Sequence, residues 1–298
     1  MPRRRACSSA PTSGCELTPF TRFVGIDWTG AKGERHRAIA VAEALVGDGP
    51  PRLLAPDRPW SRAEVAALIA GYRDAGERVL VGIDMCFGLP FADAGGYFPG
   101  GPSPADARTL WREVDAVCAA DPHHGIATYV DHRRDHFWLG AGDGPRRDRA
   151  RLRVAERLDQ SRGNVPSSVF VLLGAAQCGK ASLSGMRVLA GLDGVPAWPM
   201  DPLPADGPVL VEIYCRLFAQ MGGARGKLRS RQVLDAALVA LGSAPCGDTI
   251  PETFDDHIGD ALVSAAGLRA VAADPSYWSP GDLTPQIAAT EGWTFGLR

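Results

Sequence analysis

Two short stretches of the chain end in the same way. Val24-Gly25-Ile26-Asp27 and Val81-Gly82-Ile83-Asp84 are each an apolar run that delivers one carboxylate at its C-terminal end. In an open α/β sheet, ligands gather beyond the carboxyl ends of the strands, so two acids placed there can share divalent cations. Hard oxygen donors suit Mg²⁺ or Mn²⁺, which take one or two carboxylates together with waters and phosphate oxygens. His257 and Asp260, at i, i+3, share one face of a helix, with Ser264 one turn further along. Glu212, flanked by Val211 and Ile213, sits where a charge is costly without a partner. Taken singly, each acid reads equally well as a turn residue or a helix-dipole partner. Their order carries the weight: an acid after the first strand, another after the fourth, and a His–acid pair on the last long helix.

Three other patterns compete. Gly174-x-x-x-x-Gly179-Lys180 nearly spells a phosphate loop, but Ala181 stands where Ser or Thr should hold Mg²⁺, so a turn of the fold is the better reading. His132-Arg133-Arg134-Asp135-His136 resembles an inverted zinc-protease motif with a shortened acid, but its Gly-rich surroundings predict a charged loop. Arg146 to Arg162 mixes seven Arg with Asp148, Glu156 and Asp159, the pattern of a salt-bridged helix face. Arg225, Lys227, Arg229 and Arg231 are denser, and form the first candidate patch for phosphates.

The elements that must position these residues follow from periodicity and caps. Strands are predicted at Phe23–Asp27, within His36–Val46, at Pro51–Ala55, Val79–Ile83, Val169–Leu173 and Pro208–Tyr214. A helix runs from Ser61 to Tyr72 behind a Ser61/Glu64 capping box. Another starts at Ser103, with Pro104 at its first position and Asp106 closing the box, and reaches about Ala120. Further helices are predicted at Arg147–Leu158, Arg231–Leu241 and Asp256–Ala272.

The chain's 298 residues suffice for one large domain or two small ones. Its longest apolar runs fall short of the ~18 residues of a membrane helix, so a membrane role is not expected. Net charge is −2, so no global field draws the protein to nucleic acid. Only Lys32, Lys180 and Lys227 of the 32 basic residues are lysine, which dilutes the meaning of any one Arg cluster. The seven Cys are odd in number and contain no C-x-x-C pair, against both a zinc ribbon and a disulfide framework. Those inside apolar runs read as small hydrophobes. The basic start lacks an apolar h-region, so the cytoplasm is the expected location.

The order of acids resembles the ribonuclease H-like superfamily, particularly its Holliday-junction-resolvase branch. Members of that branch carry an acid on the first strand, one on the fourth and a paired D/H-x-x-D on the closing helix. More closely, several stretches resemble the family called domain of unknown function 429, described as predicted nucleases of ribonuclease H fold. These are Val24 to Gly30, Gly82-Ile83-Asp84 through Pro90, Ser168-Val169-Phe170 and Gly174 to Gln177. Ser184-Gly185-Met186, Val211 to Tyr214, Asp256 to Leu262 and Glu291-Gly292-Trp293 complete the set. The similarity spans about residues 22–297, while 92–165 match none of its motifs.

The resemblance implies a ribonuclease H-like mixed five-stranded sheet flanked by helices, with a long insertion after the fourth strand. Residues 1–20 would be a flexible tail, 21–278 the domain with 92–165 as its insertion or rim, and 279–298 a C-terminal extension. It implies metal-dependent hydrolysis of nucleic acid, with two Mg²⁺ or Mn²⁺ ions on Asp27, Asp84 and Asp260. His257 would be a ligand or proton carrier, and Glu212 an outer acid. The alternatives are an ATP-binding protein of the actin and sugar-kinase branch, and a catalytically inactive binding protein on the same fold. No oligomeric state follows from the sequence.

Overall fold

The computed structural model describes residues 19–174 and 177–298. The strands are β1 (Arg22–Asp27), β2 (Ala40–Leu45), β3 (Arg52–Leu53), β4 (Val79–Ile83), β5 (Ala197–Trp198) and β6 (Val209–Glu212). They form one mixed six-stranded sheet in the order β3-β2-β1-β4-β6-β5. β2 is antiparallel to β1 and β3, whereas β1, β4, β6 and β5 run parallel. The expected count of five is short by β5, a two-residue strand at the sheet edge. Val169–Leu173, expected as a strand, makes only an isolated bridge between Val171 and Trp138.

The helices are α1 (Arg62–Asp74), α2 (Ala107–Val117), α3 (Ala127–His132), α4 (Val154–Ser161), α5 (Gly179–Gly191), α6 (Cys215–Met221), α7 (Arg231–Ala240), α8 (Asp256–Val271) and α9 (Pro285–Thr290). Strand side chains alternate between two cores, as a pleat with both faces covered requires. Val24, Ile26, Val81 and Ile83 pack with residues of α1, α2 and α5 on one face. Phe23, Leu80, Val209 and Val211 pack with residues of α6, α7 and α8 on the other.

Several boundaries differ from expectation. The Ser61/Glu64 box caps α1 as predicted, with both reciprocal bonds made. α2, however, is capped by Asp106, whose side chain accepts from the Thr109 amide at 2.7 Å. Ser103 Oγ instead accepts from the Tyr97 amide at 2.9 Å, holding the preceding loop. The helix expected from Arg147 begins only at Val154, because Arg153 turns its side chain into the core. α5 was not predicted. Nearly all of its residues are buried, so its small side chains carry no one-sided stripe to read.

Residues 92–165 do not stand apart. Tyr97, Phe98, Leu110, Trp111, Tyr129 and Phe137 join the same core as β1 and β4. The closing segment is also woven in: Trp293 and Phe295 are fully buried, and the Phe295 amide donates to Glu212 O at 2.8 Å. Of the N-terminal tail, residues 1–18 lie outside the described residues, and Phe20 stacks on Trp278 at 5.9 Å. No helix among the described residues is long and apolar enough to cross a membrane.

Candidate metal centre

The two V-G-I-D segments lie side by side in register: Val24 pairs Val81, Gly25 pairs Gly82, and Ile26 pairs Ile83. Asp27 and Asp84 therefore leave adjacent parallel strands at the same level, and the Asp84 amide donates to Ile26 O at 2.9 Å. Both acids share strand parity with the paired glycines and point to the face covered by α8.

Those glycines let α8 come down onto the sheet. A Cβ on Gly25 would meet Ala261 O and Ala265 N at 2.6 Å, and one on Gly82 would meet Ile213 and Leu268. With Ala261 over Gly25, the residue one turn earlier on α8 reaches the C-terminal end of β1. His257 Nδ1 stands 2.5 Å from Asp27 Oδ2. Gly25→Ala is accordingly expected to lower Tm through overpacking of about 1–3 kcal/mol. It should also let the His257 pKa relax toward its ordinary value, which NMR titration of the imidazole would read. An unchanged pKa would mean that the glycine floor does not set this contact.

The electrostatics favour a cation. Burial and then the neighbouring Asp27 push Asp84 up to about 8. Asp260 is pushed up to about 7 by burial and by Asp27 and Asp256. Burial also raises Asp27, against the bond from His257 that stabilises its charge. The same bond raises His257, whose imidazolium form donates to the carboxylate. Three acids thus share a confined space with one half-buried imidazole.

Among the described residues, one group of side chains could hold a metal ion: Asp27, Asp84 and Cys215, whose donor atoms all lie within 4.8 Å of one another. This changes the expected ligand set. Asp260 is not part of that group, although its charge is felt at Asp84. Cys215, read from the sequence as a small hydrophobe, takes its place. It opens α6, three residues beyond the end of β6, so three neighbouring parallel strands direct donors to one point.

Glu212 is not in the cluster. It aligns with Ile83 rather than Asp84 and so faces the opposite side of the sheet. There Arg153 grips both its oxygens at 2.5 and 2.7 Å, and the Phe87 amide and Thr294 hydroxyl donate to them. Its role is to anchor the 92–165 segment and the C-terminal strand-like segment to β6. Glu291 does similar work, accepting from the amides of Phe91, Ala92 and Val154.

The basic patch borders the centre. Lys227 and Arg229 both pair with Asp256, the neighbour of His257, and Arg231 pairs with Asp248. Arg225 is exposed. Burial opposes the charge on Asp256, but the two cations prevail and hold its pKa down to about 2. Asp256 therefore ties this loop to the start of α8.

The rival motifs dissolve into structure. His132 ends α3 while His136 lies in a separate turn, edge-on to Phe98 at 5.1 Å, so the two share no helix face. Gly179 and Lys180 do open a helix, but Ser182 is committed: its hydroxyl accepts from the Cys86 amide and donates to Cys178 O. The middle of that motif, residues 175–176, lies outside the described residues. In the Arg146–Arg162 stretch, Arg151 pairs with Asp93 and Arg149 with Asp143, so these arginines pin loops instead of lining a helix.

A cavity of about 300 Å³ opens beside Asp84, walled by Trp28, Gln177, Tyr214 and residues of α4. No protein-family model, curated protein or solved structure matches this chain.

Proposed function

We propose that the protein is a metal-dependent phosphodiesterase acting on nucleic acid, on a ribonuclease H-like fold. The fold reading is supported by the strand order, with an antiparallel β2 between β3 and β1 and parallel β4 and β6 beyond. One observation carries the functional reading: Asp27, Asp84 and Cys215 converge at the carboxyl ends of adjacent strands, with carboxylates whose charge lacks sufficient cationic partners. The two carboxylates by themselves would take Mg²⁺ or Mn²⁺. Bound divalent cations would activate water and stabilise a leaving oxygen there. His257 fixes the orientation of Asp27 by occupying Oδ2. Asp260, with its pKa near 7, can hold or accept a proton at neutral pH. The cavity beside Asp84 offers room next to the reacting centre, and exposed Arg225, with Lys227 and Arg229 exchanging Asp256 for phosphates, would meet a phosphate backbone at its border.

The test is cleavage of labelled single- and double-stranded DNA and RNA with Mg²⁺, Mn²⁺ or Zn²⁺. Hydrolysis should vanish with chelator and in Asp84→Asn. Failure of every substrate with every metal would overturn the reading. A nucleotide-binding reading draws on a second cavity of about 570 Å³, lined by Thr29–Gly33, Arg62 and Lys180. ATP binding without any nuclease activity would favour it.

A further inference from the structure

The acids of this centre are hard donors, but the third donor is not. Cys215 is 2% exposed, and its sulfur lies within 4.8 Å of a carboxylate oxygen of both Asp27 and Asp84. A fourth group points into the same place. Ser264 lies on the α8 face that meets Gly25 and is fully buried; its hydroxyl is near enough to the Cys215 thiol to favour the thiolate, but completes no hydrogen bond of good geometry. A buried hydroxyl left without a partner is rare, and a missing ion or water is one of its recognised causes.

We propose that Asp27, Asp84 and Cys215 form a site selective for a thiophilic divalent cation, Zn²⁺ above Mg²⁺. The proposal rests on the metal-centre reading given above and names the ion it takes.

Ligand softness decides between the two ions. Thiolate favours Zn²⁺, whereas Mg²⁺ demands near-ideal octahedral oxygen coordination. Size agrees. With Zn–S about 2.3 Å and Zn–O about 2.0–2.2 Å, tetrahedral donors stand about 3.4–3.6 Å apart. Donors already within 4.8 Å need to close by little more than about 1 Å for an ion to draw them in. Three protein ligands leave the fourth position for water or a substrate oxygen, the arrangement of catalytic rather than structural zinc. His257, bonded to Oδ2 of Asp27, supplies the outer-shell bond that orients a ligand. On binding, the thiol proton passes to solvent and the sulfur binds as thiolate.

Cadmium provides the probe, because a cadmium–thiolate bond absorbs in the ultraviolet. Metal-stripped full-length protein should develop this charge-transfer band with one equivalent of Cd²⁺. Zn²⁺ should displace the band at concentrations roughly 10²-fold or more below those of Mg²⁺. The thiols of Cys86 and Cys178 are controlled directly: the band should persist in Cys86→Ser/Cys178→Ser and disappear in Cys215→Ser. Cys215→Ser should still gain thermal stability from Mn²⁺ through its carboxylates. Absence of the band in wild type, its survival in Cys215→Ser, or equal displacement by Mg²⁺ and Zn²⁺ would overturn the proposal. Because it uses wild-type protein alone, the Zn²⁺–Mg²⁺ competition can still overturn the proposal if Cys215→Ser fails to fold. Failure of the underlying reading has a different signature, namely that no divalent cation shifts the wild-type Tm.

Discussion

Asp84→Asn is expected to make the metal-free protein more stable at pH 8 while abolishing its response to divalent cations. Asp84 and Asp260 are held at about 8 and about 7, well above the ordinary carboxylate value of ~3.9. Between about pH 4 and those values the folded chain keeps protons that the unfolded chain has released, so stability falls as pH rises. Asparagine at 84 removes the larger of these contributions. Its advantage should be absent near pH 4, where the wild-type acid is already neutral. It should grow to a few kcal/mol, to order of magnitude, by pH 8. That corresponds to a rise in Tm of several degrees for a chain of this size.

Added cation acts in the opposite direction. A ligand at 100 times its Kd stabilises the wild type by about 2.7 kcal/mol, and the variant not at all. Loss of an outer-shell partner alone costs 10–100-fold in metal affinity, so loss of a ligand should cost roughly 10²-fold or more. Asp27→Asn should lose metal binding equally but gain less stability. It also forfeits the His257 contact, whose contribution is present at low pH and lost as pH rises through the raised imidazole pKa. Thermal melts across pH, with and without Mn²⁺, check all of this. Equal metal-induced shifts in wild type and variants would remove the carboxylate centre altogether.

The second large effect lies away from the centre. Arg153→Met should destabilise the fold by roughly 3–5 kcal/mol, because it leaves Glu212 charged, buried and unpaired. Arg153 is 1% exposed and Glu212 2% exposed, and the same guanidinium also holds Glu156 and the Glu291 carbonyl. A fall in Tm on the order of 10 °C follows for a chain of this length. Arg153→Met/Glu212→Gln should recover much of the loss, since two neutral side chains no longer leave a buried charge. Simple additivity of the two substitutions would show that the pair is not the link it is taken for. The mechanism is positional: this one arginine ties α4, β6 and the C-terminal segment together. Cleavage by a protease in residues 92–165 should therefore rise sharply in Arg153→Met.

How far these features could be read in advance depends on the distance over which their causes act. Local patterns were legible. The Val24–Asp27 and Val81–Asp84 runs became neighbouring strands, and the Ser61/Glu64 box capped α1, because neighbouring residues cause both effects. The expected face of α8 brought His257 against Asp27, while Asp260 lies outside the group of metal donors. Even the misplacement of Glu212 had a signal. Counting alternate residues back along Val209–Glu212 puts it with Leu210, on the face away from Asp27.

Other features were not legible because their causes lie far apart in the chain. α5 carries small residues on all sides since it is enclosed on all sides, and no one-sided periodicity survives such burial. Arg153 reads like its six basic neighbours until the fold places Glu212, 59 residues away, against it. Cys215 looks like any apolar-run cysteine, and becomes a donor only because β6 lies beside β4. Local spacing was enough to show which strands and helices carry acids at their ends. The tertiary structure alone decided which side chains meet there, because strand order and helix approach are set by long-range packing that no local spacing records.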